Sequence, residues 1–283
     1  MVQYSSGGGS SPRLTAFKIR AFIAVAIALF TLVSYLMKGD KNPITGEKQR
    51  VNLTVEQEIA LGLESRSEMA AQHGGICSDT QACSEVKRIG NRLLKAMEEE
   101  LAKTGKTDPY KFDFHLLADD QTINAFALPG GQVFMTYALY SKLTTEGQVA
   151  GVLGHEIGHV LRRHSAQHLA KSQLTQGLAG AAGVAGGTRS SAQIAQMVGH
   201  MIDIKYGRGD ELEADKWGVK LSVMAGYDPR AMLGVMDVLD SVGGGGRQPE
   251  IMSTHPKPAN RKKYIEEIIH SEFPNGVPEG LDE

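Results

Sequence analysis

Cysteine is scarce in this chain: two in 283 residues, Cys77 and Cys83 in CSDTQAC. Their short spacing leaves two readings open, a small disulfide loop in an oxidising compartment or two unpaired thiols. His73 is the only histidine near them, so a metal site there is set aside. Excess charge of one sign is also missing. The formal net charge is −2, which excludes the strongly basic face that nucleic acid demands. Aromatic residues make up only 6%, whereas glycine occurs 33 times. Such a balance suits a helix-rich globular protein with some loose, small-residue segments. Internal repeats are absent, and long apolar runs are nearly so.

The one long run is AFIAVAIALFTLVSYLM, residues 21–37, which carries no charge. With Ile19 extending it and Arg20 snorkelling to the headgroups, it is long enough to cross a bilayer as a helix. A cleaved signal peptide would need a small-x-small site after a shorter apolar stretch, and SYLMKGDKNP offers none. The expectation is an uncleaved anchor over 19–37. Arg13, Lys18 and Arg20 precede it, and Lys38, Lys41, Lys48 and Arg50 follow it. The positive-inside rule tilts slightly towards a cytoplasmic N-terminus. The chain then reads as a single-pass protein of the cell inner membrane, with its large C-terminal part on the periplasmic side.

Five segments are expected: a disordered tail over 1–18, the anchor over 19–37, a polar linker over 38–54, a domain over 55–272, and a flexible tail over 273–283. Helical patterns cover 55–72 and 79–103. KFDFHLLAD, 111–119, alternates as a strand, and TINAFALPGGQVFMT, 122–136, reads as two short strands joined through PGG. One long helix is expected from about Glu146 to about Ala170, and others near 190–204, 209–225, 229–241 and 258–270. QGLAGAAGVAGGT, 176–188, is too glycine-rich for a firm helix and too short to span; it reads as a mobile lid or a membrane-touching loop. GGGG, 243–246, reads as a flexible loop. The fold class is α+β, mostly helical, with a small antiparallel sheet.

GVLGHEIGHVLRRH, 151–164, holds the chemistry. His155 and His159 lie one helical turn apart on one face, so two imidazoles converge on one point. Zn2+ accepts neutral imidazole nitrogen, and a catalytic site takes three protein ligands plus water. Glu156 sits about 100° round the helix, where a carboxylate reaches a metal-bound water without occupying the metal. Gly151, Gly154 and Gly158 line the helix beside the histidine face, for tight helix packing or for the approach of a sheet or ligand helix. His164 and His168 fall on the opposite face with Arg163 and read as solvated. A third ligand must come from elsewhere. GDELEADKWG, 209–218, places Glu211 and Asp215 at i, i+4, with Glu213 turned away. Glu211 is assigned to the metal. Asp215 is assigned to the free nitrogen of a ligand histidine, where it would fix tautomer and ring orientation.

With these residues in hand, the stretch from about 50 to 270 is similar to the membrane-associated zinc metallopeptidases that include HtpX and the CAAX prenyl endopeptidases, a gluzincin family with HExxH followed by ExxxD. It most resembles the single-anchor bacterial envelope quality-control members and the related mitochondrial inner-membrane peptidase. The resemblance implies one zinc ion on His155, His159 and Glu211, with Glu156 catalytic. NAFALPGG, 124–131, resembles the family's active-site edge strand, implying substrate binding at Asn124, Ala125 and Phe126. In YGRGDELEAD the family commonly has a serine where Gly207 stands, and Arg208 would support the site. STHPKPANR, 253–261, resembles a Ser-x-His-Pro segment, implying that His255 either closes the zinc's open position or, with Tyr206 as the alternative, stabilises the oxyanion. Multi-span relatives form an intramembrane chamber; one span argues against that arrangement here.

The expected function is zinc-dependent hydrolysis of peptide bonds in extended or misfolded envelope proteins, with protein or peptide substrates, a membrane anchor and no nucleic acid. The alternative is a zinc-stabilised, chaperone-like binding module with little or latent protease activity. Glu156 distinguishes them, because a binding module has no need of a base beside its metal.

Overall fold

The computed structural model describes residues 12–186, 205–243, 249–255 and 260–283. The expected helix over 190–204, most of the GGGG loop and residues 1–11 of the expected tail lie outside the described residues.

In chain order the elements are α1 (Pro12–Met37), the two-residue strands β1 (Asp40–Lys41) and β2 (Lys48–Gln49), α2 (Val55–Gln72), α3 (Thr80–Lys103), β3 (Asp113–Leu117), β4 (Ala125–Ala127), β5 (Gln132–Thr136), α4 (Tyr137–Tyr140), α5 (Glu146–Leu161), α6 (His164–Gly186), α7 (Arg208–Met224), α8 (Ala231–Gly243), α9 (Ile251–Thr254) and α10 (Arg261–Glu272). Local chemistry starts the main helices. The Asp79 carboxylate caps α3 by accepting from Gln81 and Ala82 N–H, and the Thr145 hydroxyl caps α5 by accepting from Gln148 N–H at 3.2 Å.

The antiparallel hairpin expected through PGG forms, β4 pairing β5 with Phe126 opposite Phe134. Gly130 and Gly131 take φ of 80° and 114°, which only glycine adopts freely. β3 then joins the far side of β5 in parallel register, giving the order β3-β5-β4. Helix α3 buries Val86, Ile89, Leu93 and Met97 against this sheet. It comes so near that a Cβ on Gly90 would meet the Phe114 ring at 2.4 Å. The core continues through α5, which is buried along nearly its whole length, to α7 and α8.

Five segments differ from expectation. Helix α1 begins at Pro12, inside the stretch expected as a tail. The linker is folded: β1 and β2 pair, and the Asn42 side chain donates to Leu161 C=O. The long helix over 146–170 is two helices, because Arg163 turns left-handed with φ 56°. That strain is held in place from outside. The buried Arg163 guanidinium donates to Glu58, to Asp40 at 2.8 Å and to Leu53 C=O at 2.7 Å. Residues 273–283 are tied down rather than loose. Asp282 exchanges backbone hydrogen bonds with Gly226 and Asp228, and its carboxylate pairs with Arg92 at 2.8 Å.

The glycine-rich stretch from 176 is helical to Gly186, as the second half of α6. It packs against α1, where a Cβ on Gly177 would meet Thr31 Cγ2 at 2.5 Å.

Candidate metal centre

Helices α5 and α7 bring the expected ligands together. They can touch backbone to backbone because glycines line the contact. A Cβ on Gly154 would stand 3.2 Å from Gly218 Cα, and one on Gly158 would stand 3.0 Å from Ala214 Cα. Gly151 faces Met232 of α8 instead. Gly154 and Gly158 therefore serve the close approach of α7, and Gly151 that of α8.

At that joint His155, His159, Glu211 and His255 are buried, and their ligand atoms all lie within 4.8 Å of one another. His155 Nε2 is 3.0 Å from His159 Nε2 and 3.6 Å from Glu211 Oε2; His159 Nε2 is 3.5 Å from Glu211 Oε1. A tetrahedral zinc with bonds of about 2.0–2.1 Å keeps its ligand atoms about 3.3 Å apart, so this triangle has the right size. His255 Nδ1 makes a fourth corner, 3.0 Å from Glu211 Oε1 and 3.4 Å from His155 Nε2.

The surroundings prepare the donor atoms. Asp215 Oδ1 accepts from His155 Nδ1 at 2.9 Å, which leaves Nε2 with its lone pair free. Burial and the neighbouring imidazoles of His155 and His255 push the pKa of His159 down, so its ring stays neutral. Burial pushes Asp215 up, but the Arg261 guanidinium and His155 outweigh it and hold the carboxyl far below its usual range. Burial lowers His255, while Glu156 and Glu211 raise it more, giving a net rise; a cation among these carboxylates would take over that role.

Glu156 is buried, and burial raises its pKa. Its Oε1 lies 3.7 Å from His255 Nε2, and Glu156 Oε2 and His255 Nε2 have no hydrogen-bond partner among the described residues. A buried carboxylate with one oxygen free of hydrogen bonds beside such a cluster can accept a proton from a water held there.

Three neighbours were not expected in their roles. Arg261, at the start of α10, is buried and donates to both Asp215 oxygens, at 2.9 and 2.7 Å, with Nη1 3.1 Å from Glu211 Oε2. Such a group has a clear physical use: Glu211 and Asp215 are buried carboxylates held below their usual pKa, and a buried charge is kept only where it is paired. His164 is not solvated. The turn at Arg163 buries it, with Nδ1 2.9 Å from His159 Nδ1 and Nε2 3.2 Å from Glu213. His168, half-buried, bonds Asp210 at 2.8 Å.

Arg208 is not brought to the centre. It is exposed at the start of α7 and donates to the Tyr264 hydroxyl, its guanidinium over that ring. Tyr206 stacks on His159 with centroids 3.9 Å apart, and its hydroxyl bonds Ser165 Oγ at 2.9 Å. In and beside β4, Asn124 Nδ2 donates to Glu250 at 3.0 Å, Ala125 is buried, and Phe126 stacks on Phe134 at 4.9 Å. Thr136 N–H donates to Asn124 C=O and Leu128 N–H to Gln132 C=O, so ladder alternation turns the backbone groups of Ala125 and Ala127 to the outer edge. β5 is the only strand paired with β4 among the described residues. Cys77 and Cys83 are free thiols, the second donating to Cys77 C=O at 3.1 Å.

A buried H-E-x-x-H helix joined to an E-x-x-x-D helix is a peptidase arrangement, and the sequence profile of Peptidase family M48 matches residues 87–269. The chain belongs to peptidase family M48. Among M48 relatives it is similar to a beta-barrel assembly-enhancing protease of Yersinia pestis, 33% identical over 239 residues that cover 78% of this chain and 46% of the relative. It is similar to the metalloprotease YcaL of Escherichia coli, 27% identical over 69% of this chain and 75% of the relative. It is also similar to the mitochondrial metalloendopeptidase OMA1 of Schizosaccharomyces pombe, 28% identical over 84% of this chain and 68% of the relative. The chain spans about half the length of the beta-barrel assembly-enhancing proteases it matches.

Proposed function

We propose that this M48 chain is a membrane-anchored zinc endopeptidase acting on extended or misfolded envelope proteins. The observation that carries the reading is the triangle of His155, His159 and Glu211 atoms at zinc-ligand spacing, with Glu156 buried beside it and its Oε2 without a hydrogen-bond partner among the described residues. His155, His159 and Glu211 would hold the ion, and Asp215 and Arg261 keep His155 and Glu211 in position. Zinc, when bound, supplies Lewis acidity towards a water and a scissile carbonyl. Glu156 takes the proton from the attacking water and delivers it to the leaving amine. The outward backbone groups of Ala125 and Ala127 hold the peptide extended by β-augmentation. A helix long and apolar enough to cross a membrane, over Ala16–Met37, supports the anchor, and the charge bias around it supports a periplasmic catalytic domain.

His255 adds a second state. Four protein groups at tetrahedral spacing make a closed site, whereas catalysis needs an open position. In the proposed reading His255 occupies that position in a latent form and must withdraw before substrate enters. Casein cleavage by the full chain, with and without a chelator, tests the enzyme; His255→Ala tests the latch. Chelator-sensitive cleavage that rises in His255→Ala supports both. Zinc bound without cleavage, in both the parent chain and His255→Ala, would leave the binding-module reading in its place.

A further inference from the structure

Helix α6 has two halves of opposite chemistry. Its first half carries His164, Gln167, His168, Lys171 and Gln173, and it starts in contact with the metal centre. From Ser172 to Thr188 the chain has no Asp, Glu, Lys or Arg. Contacts fix how the second half runs. Gln173 accepts from Asn52 Nδ2 at 2.5 Å, which is outside the apolar segment of α1. One turn later Gly177 meets Thr31, six residues inside its Met37 end. Helix α6 therefore runs antiparallel to α1 and deeper along it. Ala181 and Ala24 are buried, while Leu178, Ala179 and Ala182 are exposed and apolar.

We infer that α6 enters the membrane beside α1, its half from Gly177 to Gly186 lying among lipid acyl chains as a second, partial membrane element. The inference rests on the reading that α1 crosses the bilayer. At 1.5 Å per residue, Thr31 lies about 9 Å below Met37, and α6 goes on for about 14 Å, past the midplane of a ~30 Å apolar layer. Lipid also accounts for the helix itself. Each glycine costs a helix about 1 kcal/mol in water, yet in hydrocarbon every backbone group must bond internally and helix is obligatory. Close approach through a small residue, as at Gly177, is how helices associate there. One rigid helix then joins the bilayer to His164 and, through it, to His159.

The test uses the full chain with Cys77 and Cys83 replaced by alanine, reconstituted in phosphatidylethanolamine/phosphatidylglycerol vesicles. Spin labels are placed singly at Phe30→Cys, Ala182→Cys and Lys103→Cys. Collision with oxygen, which concentrates in lipid, is compared with collision with a water-soluble nickel chelate. The expected result is oxygen-dominated relaxation at 30 and 182 and nickel-dominated relaxation at 103. Nickel-dominated relaxation at 182 with oxygen-dominated relaxation at 30 overturns the inference and leaves the anchor standing. Nickel-dominated relaxation at both removes the anchor, and the inference with it.

Discussion

Two helix pairs in this molecule are closed by glycine, and they enclose opposite things. Between α5 and α7, Gly154 and Gly158 face the backbone of Gly218 and Ala214, and the pair buries histidines and carboxylates. Between α1 and α6, Gly177 faces the Thr31 side chain most closely, and the outer surfaces are apolar and exposed, Phe22 and Phe30 by about three quarters. On our reading, the same absence of a Cβ serves ligand geometry in one pair and membrane packing in the other. What a glycine opposes, backbone or a movable side chain, sets how much its replacement costs.

The largest expected effect removes chemistry and leaves both joints intact. Glu156→Gln should lower peptide cleavage by about 10²–10⁴-fold while the protein keeps its zinc, as read by a peptidase assay alongside metal analysis. Retained cleavage would sink the proposed base. Next comes the turn between α5 and α6. Arg163→Ala leaves the Glu58 carboxylate buried without its partner and should cost about 3–5 kcal/mol in urea unfolding. A loss below 1 kcal/mol would mean that other contacts hold the turn. Gly158→Ala forces a Cβ against Ala214 backbone and should cost about 1–3 kcal/mol and weaken zinc retention during dialysis. Gly177→Ala meets a side chain that can rotate away. It should shift urea stability by less than about 1 kcal/mol and leave zinc content unchanged. If Gly177→Ala proved the costlier of the two in stability or zinc, the contrast between the joints would fail.

How far the sequence could be read follows from how local each feature is. His155, Glu156 and His159 share one helical turn, and Glu211 with Asp215 another, so helix geometry gives which side chains share a face, while the pairing of the two helices follows from the need for a third ligand and from the family resemblance. The hairpin at PGG is similarly local. The break at Arg163 is not, because Glu58, Asp40 and Leu53 hold it from more than a hundred residues away. Extending α5 through that break put His164 on the solvent face, whereas the turn carries it under His159. Arg261 lay in a stretch singled out for His255, but its role depends on α10 docking against α7. The family motif implies a supporting role for Arg208, but the side chain reaches Tyr264 rather than the metal centre. Glycine counts suggested a loose segment after 176; the helix forms against α1, a partner that lies some 150 residues earlier in the chain.

The central claim is that α7 supplies the third metal ligand through Glu211. Zinc content of the purified full chain carrying Glu211→Gln or Glu213→Gln tests it most directly. Glu213 pairs with Arg162 at 2.5 Å and with His164 at 3.2 Å, at the rim of the centre rather than in it. The account predicts loss of stoichiometric zinc in Glu211→Gln and near-full zinc in Glu213→Gln. Full zinc in Glu211→Gln, or its loss only in Glu213→Gln, would contradict it.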